Sequence, residues 1–264
     1  MSIRLGRELF GQLGVPQDQV GPNDQGAELE NAVVRHLKSV RPDLKIERSR
    51  SAVNFAQYAH LDVFQSFLKS YAGSQKALSS LAQAIGQVPS GRERQRLVHT
   101  FDKLARSMAD DAVTIEKLKR EMPEESLLKI DISVAVPQDD GTEELAIALS
   151  AKWSLRTDRA QDCVSQGGKL VAQRRGKMPH FAVVTIEPRP SMLRILADGS
   201  GAVDWVYHLD LPALEAAINA ESERTRNPES WSPRRTFDRL MAQRRLKDFD
   251  ELVRQVEGLP AVGG

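Results

Sequence analysis

The sequence predicts an α/β fold: a mixed central β-sheet flanked by helices, with an extra helical region ahead of the strands. Three observations lead there. Apolar residues recur at helical spacing through the first half of the chain. Four short runs rich in β-branched and aromatic residues then alternate with turns and helical stretches in the second half. No internal repeat or low-complexity tract interrupts the pattern.

The elements follow in order. Val33, Val34, Leu37 and Val40 keep helical spacing, so Ala27 to Val40 reads as a helix. Gln57 to Ser70 and Ser74 to Ile85 read as helices too. VPSGRER, from Val88, is a break; Gln95 to Met122 resumes as a charged amphipathic helix that Pro123 ends. LLKIDISVAV (Leu127 to Val136) has strand character, PQDDGTEE turns the chain, and LAIALSAKW (Leu145 to Trp153) returns as its partner. Arg159 to Gln173 reads as a helix whose Gly167 and Gly168 suit close packing better than a phosphate cradle. FAVVTI (Phe181 to Ile186) and VDWVYHL (Val203 to Leu209) are two further strands, separated by a proline-containing turn and ADGSG. Asp210 is the expected N-cap of a helix through Ile218. Pro228 to Pro233 reads as a linker, and Arg234 to Val256 as one final amphipathic helix. The expected organisation is a single domain over 1–264, with a helical insertion at 72–122 and a C-terminal helical segment at 228–264.

Composition narrows the class. At 264 residues, 41% hydrophobic and 28% charged, the chain suits one large globular domain. No run approaches 18 apolar residues, so no membrane helix is expected. MSIRLGRELFGQL lacks an apolar core followed by a small-residue cleavage site, so it is not read as a secretory signal. The single Cys163 cannot form an internal disulfide, which fits a reducing cytoplasm; on its helix it lies with Ala160, Val164 and Gly167 and is read as core. His36, His60, His99, His180 and His208 show no close ligand spacing, and no Walker loop is present, which disfavours zinc and ATP-driven chemistry. A net charge of +1 argues against coating nucleic acid by bulk charge. Between Ser150 and Lys177, however, seven cations stand against two carboxylates, a local balance of +5.

That basic stretch begins where chemistry-bearing residues gather. Asp131 sits among Ile130, Ile132, Val134 and Val136, where an unpartnered carboxylate is costly. Lys152, on the next strand and on the same face as Ser150, is the nearest cation in the pattern. Glu30 shares its helix face with Val33, Val34 and Leu37 and so points inward, unlike Glu28. Two inward carboxylates and a lysine at a strand end fit a magnesium site with the lysine beside a nucleophilic water. Taken alone, Asp131 and Lys152 equally suit a structural ion pair. Four residues on, Arg156 and Arg159 carry forked donors that can grip guanine O6 and N7, and Asp158 can accept from cytosine N4. Taken alone, that tetrapeptide equally suits a salt-bridged solvent turn.

KWSLRTDRAQDCVSQGGKLVAQRRGKMPHFAVVTIEPRPS resembles the core of the NgoMIV restriction endonuclease family, a CCGG-recognising branch of the PD-(D/E)xK nucleases. Ser-x-Lys-Trp, then Arg-x-Asp-Arg-Ala-Gln, then Arg-x-Gly-x-x-Pro-His ahead of Val-Val-Thr and Glu-Pro carry the resemblance. QGAELENA, FAQYAHL, VYHLDLPALEAA and, faintly, RLKDFDEL extend it over most of the chain. The resemblance implies a restriction-endonuclease-like fold and a Mg²⁺-dependent type II restriction endonuclease. Such an enzyme cuts double-stranded DNA at a palindrome containing CCGG and leaves 5′ overhangs. It implies Asp131 and Lys152 as catalytic residues, Ser150 where related nucleases carry the motif acid, and Glu30 as a carboxylate lent from the N-terminal helix. The expected metal ligands are Asp131, Glu30 and Ala151. Arg156, Asp158 and Arg159 would read the central CCGG. The implied partners are the duplex itself, further copies of the chain in a dimer or in a tetramer engaging two duplexes, and a cognate methyltransferase acting at the same site.

Three departures from the family pattern follow. Ile130 replaces the proline usual before the first catalytic aspartate. Gln166 occupies the position of the relocated motif glutamate; an amide is a poorer magnesium ligand, so slow or absent cleavage with retained binding is expected. The arginine that contacts the outer base pair falls on Met192 and a neighbouring glutamine on Asn23, with Arg189 and Arg194 close but out of register. The outer bases are therefore expected to differ from GCCGGC. Two rival classes stay open: a DNA-binding protein inactive through Gln166, and a repair-type nuclease without CCGG preference.

Overall fold

The computed structural model of the chain describes residues 2–15, 26–70, 75–121, 128–198 and 201–261. Asn23 and Pro123 lie outside the described residues. The chain divides into two compact units: residues 1–59 with 128–264, and residues 60–127. Among its described residues the second holds three helices, α3 (His60–Ser70), α4 (Gln75–Gly86) and α5 (Arg92–Glu121), with α4 packed on α5. The helical insertion expected at 72–122 falls within this unit, which starts earlier, at His60.

The first unit is built on a six-stranded sheet in the order β1 (Lys45–Ser51), β2 (Lys129–Pro137), β3 (Glu143–Lys152), β4 (His180–Thr185), β5 (Trp205–His208) and β6 (Leu246–Asp248). The first three strands run antiparallel, and β3 through β6 are parallel. The mixed α/β sheet expected from the sequence is thus present. α2 (Gly26–Val40) and α10 (Phe249–Glu257) cover one face, where Leu29, Val33, Leu37, Leu252 and Val256 meet Ile46, Ile132, Ile147, Leu149 and Val184. Each such side chain contributes about 1.5–3 kcal/mol on burial. α6 (Thr157–Gln173) lays Gly167 against Phe181, and α7 (Pro190–Ala197) packs between α6 and α9 (Ser232–Ala242). α1 (Ser2–Gln12) lies along α8 (Leu211–Glu223), which Asp210 caps by accepting from the Ala213 amide at 2.9 Å.

The sequence reading held no element before Ala27, where α1 lies, and three further stretches differ from the expectation. The proline-containing turn after β4 is helical, because Pro190 stands at the start of α7, where its missing N–H breaks no hydrogen bond. The single helix expected at 234–256 is broken at Arg244, whose φ of 55° ends α9. Leu246–Asp248 then pairs with β5, and Asp248 restarts the chain by capping the Asp250 amide of α10 at 2.9 Å. β1 escaped notice because its sequence, KIERSRS, has one apolar residue, as suits a charged edge strand.

Candidate active site

The β2–β3 ladder pairs Ile132 with Leu149, and the next positions outward are Asp131 and Ser150. Three donors converge there on one oxygen. Asp131 Oδ2 accepts from Lys152 Nζ at 2.6 Å, from Ser150 Oγ at 2.9 Å and from the Ala151 amide at 3.3 Å. Behind them the buried Cys163 of α6 donates Sγ–H to Ser150 Oγ at 3.4 Å. Burial pushes the Cys163 thiol up, so it stays protonated and serves as a donor. Burial pulls the Lys152 ammonium down, but the Asp131 carboxylate outweighs it and holds the group above its ordinary range. Lys152 is therefore a cation at neutral pH. On the edge strand, the pairs Arg48↔Ile132 and Arg50↔Ile130 set Ser49 level with Asp131, and Ser49 takes the left-handed φ of 55°.

A cleft of about 510 Å³ opens beside this group. It is lined by Gly26, Ala27 and Glu30 of α2, by Ala151, Lys152 and Trp153 at the end of β3, and by Arg159 and Asp162 of α6. Glu30 is half-buried, and Arg48 of β1 grips its Oε2 with Nε at 2.8 Å and a second nitrogen at 2.6 Å. Arg48 also donates to Asn31 Oδ1 at 2.6 Å. The structure thus gathers Asp131, Ser150 and Lys152 in one hydrogen-bonded cluster and sets Glu30 and Ala151 on the same cleft. Gln166 is half-buried on α6, one turn beyond Asp162. Among the described residues no three acidic, histidine or cysteine side chains converge as a metal cage. The acidic side chains on and beside the cleft are the carboxylates of Glu30, Asp162 and Asp131, hard oxygen donors that suit a hard divalent cation rather than a soft metal.

Two residues at the site were missed in the sequence: Asp162, which lines the cleft, and Arg48, which binds Glu30 beside it. Arg48 belongs to the unread edge strand. Asp162 carried a usable signal, since Arg159, Asp162 and Gln166 fall on one helix side at spacings of three and four.

The charged turn leads directly into α6. Arg156 is the extended residue at its N-cap, and Asp158 sits in its first turn, where a carboxylate favours the helix dipole. Arg156 reaches Asp158 at 3.1 Å, but the two side chains are 71% and 67% exposed. An exposed pair of this kind holds its members weakly and leaves them available to a ligand. Of the residues expected near outer bases, Arg194 is exposed and 3.8 Å from Asp198, while Met192 is half-buried on α7. Arg189 keeps about a third of its side chain exposed, and its guanidinium binds Glu187 and the Leu155 carbonyl.

A half-antiparallel, half-parallel sheet that delivers Lys152 to a cleft between α2 and α6, with Asp131 hydrogen-bonded to it, is a restriction-endonuclease-like α/β architecture. The family described as NgoMIV restriction enzyme matches residues 112–255, more than half of the chain, and the chain belongs to that family. Over 76 residues it is 45% identical to "Type II restriction enzyme NgoMIV" of Neisseria gonorrhoeae. That stretch covers 29% of this chain and 27% of the relative, so the chain aligns with about a quarter of the relative's length. Among the described residues no helix is long and apolar enough to cross a membrane.

Proposed function

We propose that the protein is a Mg²⁺-dependent type II restriction endonuclease that hydrolyses double-stranded DNA at a palindrome containing CCGG and leaves 5′ overhangs. The observation that carries this is the convergence of Lys152, Ser150 and the Ala151 amide on Asp131, beside a cleft that Glu30 shares. Asp131, Glu30 and Ala151 would hold magnesium, which supplies a Lewis acid for the scissile phosphate and an acidified water as nucleophile. Ser150 and the Ala151 amide fix the orientation of the Asp131 carboxylate. Lys152, charged at working pH, donates hydrogen bonds to the phosphate oxygen on which charge develops, rather than accepting a proton from water. Arg159, on the same cleft, adds a second cation near the backbone.

Arg156, Asp158 and Arg159 read the central C·G and G·C pairs from the exposed turn. A palindrome is most simply read by two copies related by a two-fold axis, so the working form is a homodimer or a tetramer engaging two duplexes. A cognate methyltransferase protects host DNA at the same site. Gln166, an amide where the family pattern has a glutamate, favours a second reading: a DNA-binding protein on the same fold that cleaves slowly or not at all.

The test is incubation with Mg²⁺ of two plasmids that differ only in the presence of CCGG sites, followed by sequencing of the fragment ends. Discrete fragments from the CCGG plasmid alone, with staggered ends and accumulating slowly because Gln166 is an amide, are expected. Tight binding without fragments selects the second reading, and equal affinity for duplexes with and without CCGG removes both. Affinity should fall steeply with added salt, because phosphate contacts release counterions.

A further inference from the structure

The ladder between β3 and β4 ends at the pair Lys152↔Thr185, and beyond it the two chains part. Leu155, three residues past the last pair, is buried and has no strand beside it among the described residues. Two side chains from the β4 exit take that place. Glu187 Oε2 accepts from the Leu155 amide at 2.7 Å, and the Arg189 guanidinium donates to the Leu155 carbonyl. Both polar groups of one backbone unit are captured, one by the anion and one by the cation.

The captors are themselves locked. Glu187 is fully buried, and its own amide donates to Thr185 Oγ1 at 3.1 Å. Its carboxylate accepts from the Arg189 amide at 3.0 Å, from the Arg189 Nε, and from a terminal guanidinium nitrogen at 2.8 Å. Pairing with Glu187 keeps the Arg189 guanidinium above its ordinary pKa. A buried ion pair is weak evidence for stability, since apolar side chains fill such space as well. What apolar side chains cannot supply is a directional bond to the N–H and C=O of a peptide that lacks a ladder partner.

The residue after Leu155 is Arg156, and the Arg156 carbonyl accepts the first bond of α6 from the Ala160 amide at 2.9 Å. The stretch 156–159 therefore has one end in the clamp and the other in a helix. We propose that Glu187 and Arg189 are positioning residues for specificity: they fix the Leu155 backbone, and so hold Arg156, Asp158 and Arg159 in register with Lys152 across the shared strand β4. Base-edge hydrogen bonds tolerate displacements of only roughly 0.5 Å, so the turn must be pre-set. This rests on the turn being the CCGG reader proposed above. It also reassigns Arg189 from contacting an outer base to holding the residues that contact the inner ones.

The test uses the full chain as E187Q, R189A, R189K and the double variant E187Q/R189A. Affinity is measured without Mg²⁺ on a duplex carrying CCGG and on one in which CCGG is scrambled. Each single variant should lose at least tenfold of the wild-type affinity ratio. The double variant should lose no more than the worse single, and binding to the scrambled duplex should keep its salt dependence. Hydrogen exchange on the wild type should find the Leu155 amide protected, and faster in every folded variant. Variants that keep the ratio within twofold overturn the clamp, as does a loss in R189A that E187Q does not share, which marks a direct base contact. If no variant folds, an unprotected Leu155 amide in the wild type overturns it alone. A wild type without CCGG preference removes the reading beneath the proposal; preference retained in wild type and variants alike removes only the clamp.

Discussion

Lys152 Nζ lies 2.6 Å from Asp131 Oδ2, with both side chains about four-fifths buried. The ammonium is therefore pre-aimed at the carboxylate that the proposed chemistry needs, and it is held charged. Replacing it with alanine deletes the donor to the developing phosphate charge. Lys152→Ala should lower the cleavage rate on the order of 10²–10³-fold and leave affinity for the CCGG duplex within about threefold. Single-turnover cleavage alongside fluorescence anisotropy checks both. A folded Lys152→Ala protein that cuts at the wild-type rate removes Lys152 from the mechanism.

Gln166 lies one turn past Asp162, an i,i+4 relation on the side of α6 that Arg159 and Asp162 present to the cleft. Restoring a carboxylate there adds an oxygen donor suited to magnesium. Gln166→Glu should raise the cleavage rate at least tenfold and lower the Mg²⁺ concentration needed for half-maximal rate. Time courses of plasmid nicking over a Mg²⁺ series measure both. Identical curves for the two proteins would mean that Glu30 and Asp131 carry the metal without help from α6.

How much of this was legible in the sequence depended on whether each residue broke its own local pattern. Asp131 stood out because it interrupts an apolar strand, Glu30 because it sits on an apolar helix stripe, and Lys152 because it ends a buried run. Strands β2 to β5 were readable for the same reason, being buried and β-branched. β1 was not, since Arg48, Arg50 and Glu47 make it resemble a surface loop, and with it went the Arg48–Glu30 pair. Glu187 could be quoted as part of a Glu-Pro motif, but its partner is the backbone of Leu155, 32 residues away. No periodicity encodes a side chain that binds a distant peptide unit. The break at Arg244 was hidden because the apolar spacing continues on both sides of it.

Gly167 and Gly168 look alike in the sequence and differ in the structure. A Cβ on Gly167 would stand 2.4 Å from the Ala202 carbonyl oxygen and 2.7 Å from the Phe181 ring, whereas one on Gly168 meets nothing within 4 Å. Gly167→Ala must push the helix off the sheet, which costs about 1–3 kcal/mol. Gly168→Ala fills no occupied space and should stabilise the protein by about 0.5–1 kcal/mol through helix propensity. Urea midpoints of the two variants should move in opposite directions; a shift of the same sign for both would show that α6 does not approach Phe181 so closely.

His208 sets an acid limit on stability. It is fully buried on β5, its Nδ1 accepts from the Asp210 amide at 3.2 Å, and its Nε2 has no hydrogen-bond partner among the described residues. Burial lowers its pKa to about 4, against which the nearby carboxylates of Asp210, Asp248 and Glu187 act only in part. The unfolded chain takes up a proton near pH 6.5, while the folded protein refuses it until about pH 4. Below pH 6.5 the unfolded state thus binds more protons, and stability falls as pH drops through that window, by on the order of 3 kcal/mol. Carboxylates with lowered pKa, such as Glu143 and Asp204, also lose their contribution on acidification, but their loss sets in at lower pH, nearer the ordinary carboxylate range. Thermal melts between pH 7.5 and pH 4.5 should show a decline in the wild type that is shallower in His208→Gln, which has no proton to refuse. Parallel declines in the two proteins would mean that the imidazole reaches solvent and does not govern the acid limit.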